Sequence, residues 1–185
     1  MATNKLKLGD PCPYFNMHAV DGNSYSLESF SDKKVLIIIF SCNHCPYVQA
    51  YEERIKEIQK DYEKKGVVAV AINSNDDTRY EADSFEGMVE SAKIKSFNFT
   101  YLRDETQSAA KAFDATHTPE AFIFNVERKL VYHGKIDDNW KEEAKVKNRY
   151  LREALDELLE GKEVSVPETF SIGCTIKWKT ENNNL

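Results

Sequence analysis

Val35-Leu36-Ile37-Ile38-Ile39-Phe40-Ser41-Cys42-Asn43-His44-Cys45-Pro46-Tyr47-Val48 decides the fold. An uninterrupted apolar run leads into a pair of cysteines, and a helical pattern leads out. Val48, Tyr51, Ile55, Ile58 and Tyr62 recur in steps of three and four, which gives one stripe of a helix. The unit reads as strand, tight turn, helix, with Cys42 and Cys45 at the turn. A Cys-x-x-Cys there brings two sulfurs together, and a helix start stabilises a thiolate.

Working outward, Gly66 stops the helix, and Val67-Val68-Ala69-Val70-Ala71-Ile72 is a second buried strand. Upstream, Gly9-Asp10-Pro11-Cys12-Pro13 reads as a loop and Asp21-Gly22-Asn23 as a hairpin turn. Ser26 to Phe30 makes one helical turn. Downstream come a helix over 84–95, a short strand over 97–101 and a helix from Glu105 to Phe113. A third apolar run, Glu120 to Asn125, pairs as a hairpin with Lys129–Gly134, and a last helix spans about 147–160. The tail 162–185 carries Pro167, Cys174 and Trp178. It is expected to pack on the domain, with Asn182–Leu185 frayed. Strands alternating with helices and then a closing hairpin predict an α/β fold: a central mixed sheet flanked by helices, with an N-terminal β-hairpin extension. The thiol turn then lies at the carboxyl end of a central strand, where sites in such sheets gather.

The chain of 185 residues suits one domain over 1–185, with its core at about 7–160. A formal net charge of −6 argues against sequence-independent nucleic-acid binding. The sequence has no apolar run long enough to span a membrane. Met1 to Leu8 holds no apolar signal core, which makes a cytoplasmic location the expectation. In a reducing cytosol a Cys-x-x-Cys serves catalysis or metal binding rather than structural stapling.

The chain resembles the thioredoxin-like superfamily. Within it the nearest branch is the redoxins grouped with alkyl hydroperoxide reductase, the thiol-specific antioxidant proteins (AhpC/TSA) and the TlpA/ResA-type thiol oxidoreductases. The resemblance rests on Gly9-Asp10-Pro11-Cys12-Pro13-Tyr14-Phe15, Asp21-Gly22 with Tyr25-Ser26-Leu27, Cys42-Asn43-His44-Cys45-Pro46, and Thr118-Pro119-Glu120-Ala121-Phe122-Ile123-Phe124. The tail Ile172-Gly173-Cys174-Thr175-Ile176-Lys177-Trp178-Lys179 is similar to tails of peroxiredoxin-like members. The resemblance implies a thioredoxin-like fold and a thiol–disulfide oxidoreductase that needs no cofactor or metal. Cys42, at the helix N-terminus, would attack; Cys45, one turn into the helix, would resolve the mixed disulfide. His44 and Pro46 would tune the pair, and the Thr118–Pro119 loop, with Pro119 cis, would face the dithiol and bind substrate. The implied partners are protein or small-molecule disulfides and thiols, with a reducing partner such as a thioredoxin system.

Several residues admit two readings. Glu120 suits a solvated strand start better than a proton acceptor for Cys45; His117 and water are the other acceptors to consider. Cys174 is a small packed apolar side chain or an additional redox thiol. Cys12, between prolines, reads as structural. His18, His117 and His133 receive no role, and the acidic loop around Asp76, Asp77, Glu81 and Asp83 reads as a solvated face. The resemblance also admits a peroxiredoxin-like thiol peroxidase with Cys45 as peroxidatic cysteine, since Pro46 follows it. Against that, Cys42 stands where such enzymes carry Thr, and Ile38 where they carry Pro. The third reading is a non-catalytic or metal-binding module, with Cys42, Cys45, Cys174 and a histidine as ligands.

Overall fold

The computed structural model describes residues 6–180; the segment Met1–Lys5 and the expected frayed end Asn182–Leu185 lie outside them. The chain opens with a hairpin, β1 (Asn16–Ala19) and β2 (Ser24–Ser26), and a 3-10 turn over Leu27–Phe30. β3 (Val35–Ser41) runs into helix α1 (Pro46–Tyr62), followed by β4 (Val67–Asn73), α2 (Phe85–Ile94), β5 (Thr100–Arg103) and α3 (Ser108–Phe113). The short strand β6 (His117–Thr118) precedes β7 (Glu120–Phe124) and β8 (Leu130–Gly134). α4 (Tyr150–Leu159) and β9 (Cys174–Thr175) follow.

Seven strands form one mixed sheet in the order β2-β1-β5-β4-β3-β7-β8. β3 and β4 are parallel, as are β4 and β5; β3–β7, β7–β8, β1–β5 and β1–β2 are antiparallel. β6 and β9 make a separate two-stranded ladder.

The uniform apolarity of β3 has a direct cause in its position. Successive side chains of a strand point to opposite faces. Leu36, Ile38 and Phe40 join Val70, Ile72, Phe113, Phe122 and Phe124 on one face. Val35, Ile37 and Ile39 meet Tyr51, Ile55, Ile58, Leu151 and Leu155, the inner stripes of α1 and α4, on the other. A strand covered on both faces has no solvent side on which to place a polar residue.

Gly66 ends the first helical segment at φ 85°, left-handed backbone that glycine adopts without steric cost. The expected strand over 97–101 starts later, at Thr100. Phe97 and Phe99 instead stack on each other at 4.6 Å, and Phe97 packs edge-on against Tyr101, so the alternating aromatics form a cluster rather than a ladder. No helix among the described residues is long and apolar enough to cross a membrane.

Candidate active site

The parallel strand β3 delivers Ser41 to the end of the sheet beside Asn73 of β4, and the chain turns there through Cys42-Asn43-His44. α1 begins at Pro46, whose missing N–H is harmless at the first helical position. Cys45 is therefore the N-cap residue of a 17-residue helix. This corrects the expected placement: Cys45, not Cys42, stands at the helix start, because Pro46 fixes where helical backbone begins.

The turn is pinned from behind by a buried carboxylate. Asp83, in the short turn between β4 and α2, accepts hydrogen bonds from the Asn43 backbone amide at 2.6 Å, Asn73 Nδ2 at 3.1 Å and Asn75 Nδ2 at 3.0 Å, and also meets His44 Nδ1. The His44 ring stacks on Tyr80 at 4.2 Å. Tyr101 donates its hydroxyl to Asn43 Oδ1 at 3.0 Å, and Gln49 Nε2 donates to the Asn43 carbonyl at 2.9 Å. The solvated acidic face expected around Asp76, Asp77, Glu81 and Asp83 is thus corrected in part, since only Glu81 is exposed. Asp83 and Asp76 are buried, Asp76 accepts from Thr78, and Asp77 pairs with Arg103 at 3.1 Å. Buried amide donors and an arginine satisfy carboxylates that would otherwise need water.

Three sulfurs converge in front of this support. Cys42 Sγ lies 3.4 Å from Thr118 Oγ1, and Cys45 Sγ lies 3.4 Å from the Thr118 carbonyl oxygen. Cys174 Sγ, delivered by β9, is 2.7 Å from Cys45 Sγ. Thr118–Pro119 is the cis peptide that the resemblance implies, and it sits against the thiols. All four cysteines are free thiols. Cys42 and Cys45 are buried, whereas Cys174 is half-buried.

Their acidities diverge. The neighbouring Cys42 thiol, which favours a thiolate on Cys45, brings the Cys45 thiol down to about 4 against the opposing effect of burial, with help from Cys174 and the Val48 amide. Cys42 is driven the other way, by its Cys45 neighbour, by burial and by the negative charge of Asp83. Both shifts favour negative charge on the sulfur at the helix N-cap over Cys42, in the direction the helix dipole also favours. Cys174 is raised to about 11 by burial and by its position next to the Cys45 sulfur. Cys12 is buried in the core and raised to about 12 by desolvation, which makes it inert as the structural reading expects.

Glu120 is also corrected. It is 3% exposed, not solvated. Its Oε2 accepts the backbone amides of Thr116 at 2.7 Å and His117 at 2.9 Å, and its Oε1 meets His133 Nε2 at 2.6 Å. Burial opposes its ionisation, but these bonds outweigh burial and hold its carboxyl below the ordinary range. Glu120 therefore ties down the loop that presents Thr118. His133, left without a role in the sequence, is its partner. The two line a cavity of about 460 Å³ whose walls hold none of the cysteines. His117 bonds Thr116 Oγ1 and His18 bonds Ser24 Oγ.

Cys42, His44 and Asp83 bring possible ligand atoms within 4.8 Å of one another. Asp83 is already occupied there by three nitrogen donors besides His44.

A family model described as Redoxin matches residues 7–150. No curated protein matches the chain. Among solved structures, an uncharacterized conserved protein from Geobacillus kaustophilus is 43% identical over 96% of this chain and 95% of its own, with a TM-score of 0.90. A hypothetical protein from Sinorhizobium meliloti 1021 is 37% identical over 96% of this chain and 97% of its own, with a TM-score of 0.89. The thioredoxin domain of a thiol-disulfide oxidoreductase from Bacteroides vulgatus shares the fold at a TM-score of 0.59, with 17% identity over 70% of this chain and 89% of its own.

Proposed function

The chain belongs to the redoxin family, and from that premise we propose that it is a thiol–disulfide oxidoreductase whose redox-active pair is Cys42 and Cys45. One observation carries this reading: Cys45 caps the start of α1 and packs with Cys42 and Cys174 against the Thr118–Pro119 loop, an arrangement that favours a thiolate on Cys45 over one on Cys42. The acidities favour Cys45 as the attacking sulfur and Cys42 as the resolving one, the reverse of the order taken from the motif. The Cys45 thiolate attacks a substrate disulfide, one substrate sulfur leaves, and a mixed disulfide forms. Cys42 then attacks the Cys45 sulfur. Its proton goes to the departing substrate thiolate, and a Cys42–Cys45 disulfide remains. Asp83 and Tyr80 position His44 beside this pair, and the Thr118–Pro119 loop packs against both sulfurs, so a substrate bound to that loop takes the place that β9 holds.

A peroxide substrate is the second reading, and the same thiolate favours it. Attack on a peroxide converts Cys45 to a sulfenic acid, and condensation with Cys42 releases water and yields the same disulfide. Equilibration in thiol/disulfide buffers, with thiol trapping and disulfide mapping by mass spectrometry, tests the pair. A reversible Cys42–Cys45 bond with a potential between roughly −270 and −120 mV is expected. Consumption of hydrogen peroxide at a rate that outpaces exchange with oxidised glutathione would favour the peroxidase. Failure of this cysteine pair to exchange would return the protein to the non-catalytic reading.

A further inference from the structure

The tail meets the thiol site as a strand, not as a loose end. β9 pairs antiparallel with β6, with Thr118 opposite Cys174 and His117 opposite Thr175. The Ile176 amide donates to the Thr116 carbonyl at 2.9 Å, and the Ile176 side chain is buried in the core. Lys177 donates its amide to Asn75 Oδ1 at 2.8 Å, and its carbonyl accepts from the Asp76 amide at 2.7 Å. Gly173 makes the approach possible: a Cβ there would stand 2.1 Å from the Thr118 carbonyl oxygen. Addition of an extended segment to a free strand edge is a general mode of peptide recognition. Here the chain's own tail takes that edge and places the Cys174 sulfur 2.7 Å from Cys45 Sγ.

We propose that Cys174 is the third redox thiol of the site, exchanging with the Cys42–Cys45 disulfide at Cys45 and acting as the port through which the buried pair is reduced. The proposal rests on the dithiol reading above. When Cys42 and Cys45 are joined, the Cys174 thiolate attacks Cys45 Sγ. The Cys42–Cys45 bond breaks, the Cys45–Cys174 bond forms, and the proton given up by Cys174 ends on Cys42. This is an exchange that consumes no oxidant. It is favoured because oxidation of Cys45 removes the neighbouring negative charge that helps to hold the Cys174 thiol up. An external thiol then attacks the sulfur of Cys174, the one of the three with solvent access. The low-pKa Cys45 leaves as thiolate, and low-pKa thiols leave fastest. A second external thiol frees Cys174 and carries away the disulfide.

The test is made on the full chain oxidised with oxidised glutathione, acid-trapped, and mapped by mass spectrometry. In Cys42→Ser, a Cys45–Cys174 disulfide is expected in place of a glutathione adduct on Cys45. In Cys174→Ser and Cys174→Ala, the Cys42–Cys45 disulfide is expected to form, but its reduction by reduced glutathione should slow by roughly tenfold or more, as access to the buried sulfurs is lost. Far-ultraviolet circular dichroism checks that both variants fold. A stable glutathione adduct on Cys45 in Cys42→Ser, or unchanged reduction in both Cys174 variants, overturns the proposal and leaves the dithiol reading intact. Absence of a Cys42–Cys45 disulfide in the Cys174 variants overturns the dithiol reading itself.

Discussion

At the scale of single residues, identity announces chemistry while burial decides it. Cys42 and Cys45 are visible in the sequence as a pair, but which sulfur carries the charge depends on a helix boundary and on Asp83, a residue 38 positions downstream of Cys45. A titration of thiolate ultraviolet absorbance should show a step near pH 4 from Cys45. Cys42→Ala should move that step upward, since the neighbouring thiol that most favours the thiolate is gone, and Cys45→Ala should abolish it. A first step near the ordinary cysteine value of about 8.5 would refute the assignment. Glu120 and Asp83 were the residues least legible in the sequence. A carboxylate beside a strand looks solvated until the amides and imidazole that satisfy it are brought in from elsewhere in the fold. Glu120 lies below its unfolded pKa in the folded protein. Its ionised form therefore contributes stability that is whole above an unfolded value of about 4.3 and is lost as pH falls through the folded pKa. Glu120→Gln should cost about 1–3 kcal/mol near neutral pH. The gap to wild type should close as pH drops below about 4 in denaturant titrations; a gap that is constant with pH would mean that the charge contributes nothing.

Among the elements, the strands and the main helix were legible because their patterns are redundant. β3 and β4 are apolar on both faces, and α1 repeats its stripe over four turns, so no single residue decides the reading. The boundaries were less visible. Pro46 sets the start of α1 one residue after Cys45, and this shift is what changes which cysteine caps the helix. At the other end, Gly66 adopts left-handed backbone and receives the packing of Lys34, whose Cγ would lie 3.1 Å from an added Cβ. The lysine chain can swing aside, so backbone strain rather than a clash sets the cost. Gly66→Ala should destabilise by about 1 kcal/mol in chemical denaturation, with the thiolate step at Cys45 unmoved, because the far end of the helix carries the strain. A loss below a few tenths of a kcal/mol would show that the helix terminates without needing this residue.

On the scale of the whole molecule, the sheet and its two faces follow from local patterns, but the assembly of the site does not. Cys45 and Cys174 touch across 129 positions of sequence, and no local rule links them. The anchor of that contact is Ile176, which plugs into the face lined by Leu36, Phe40 and Phe122. Two outcomes are open to a protein that loses such an anchor. If the tail were an integral part of the fold, Ile176→Ala would lower global stability by about 2–5 kcal/mol, as core truncations do. The tail around Cys174, however, joins no strand of the seven-stranded sheet: it is held by the two-residue ladder with β6, by backbone bonds of Ile176 to Thr116 and of Lys177 to Asp76, by side-chain bonds to Asn75 and Gln107, and by the Ile176 side chain itself. Segments held by few contacts open as local units below the global free energy. Ile176→Ala should therefore shift Tm only slightly while it raises amide exchange over 174–177, and the uncovered Cys45 should be alkylated by iodoacetamide several-fold faster than in the wild type, an opening of about 1 kcal/mol or more. A large fall in Tm with no gain in Cys45 reactivity would reverse this picture, making the tail a structural layer of the fold and its cysteine a buried spectator.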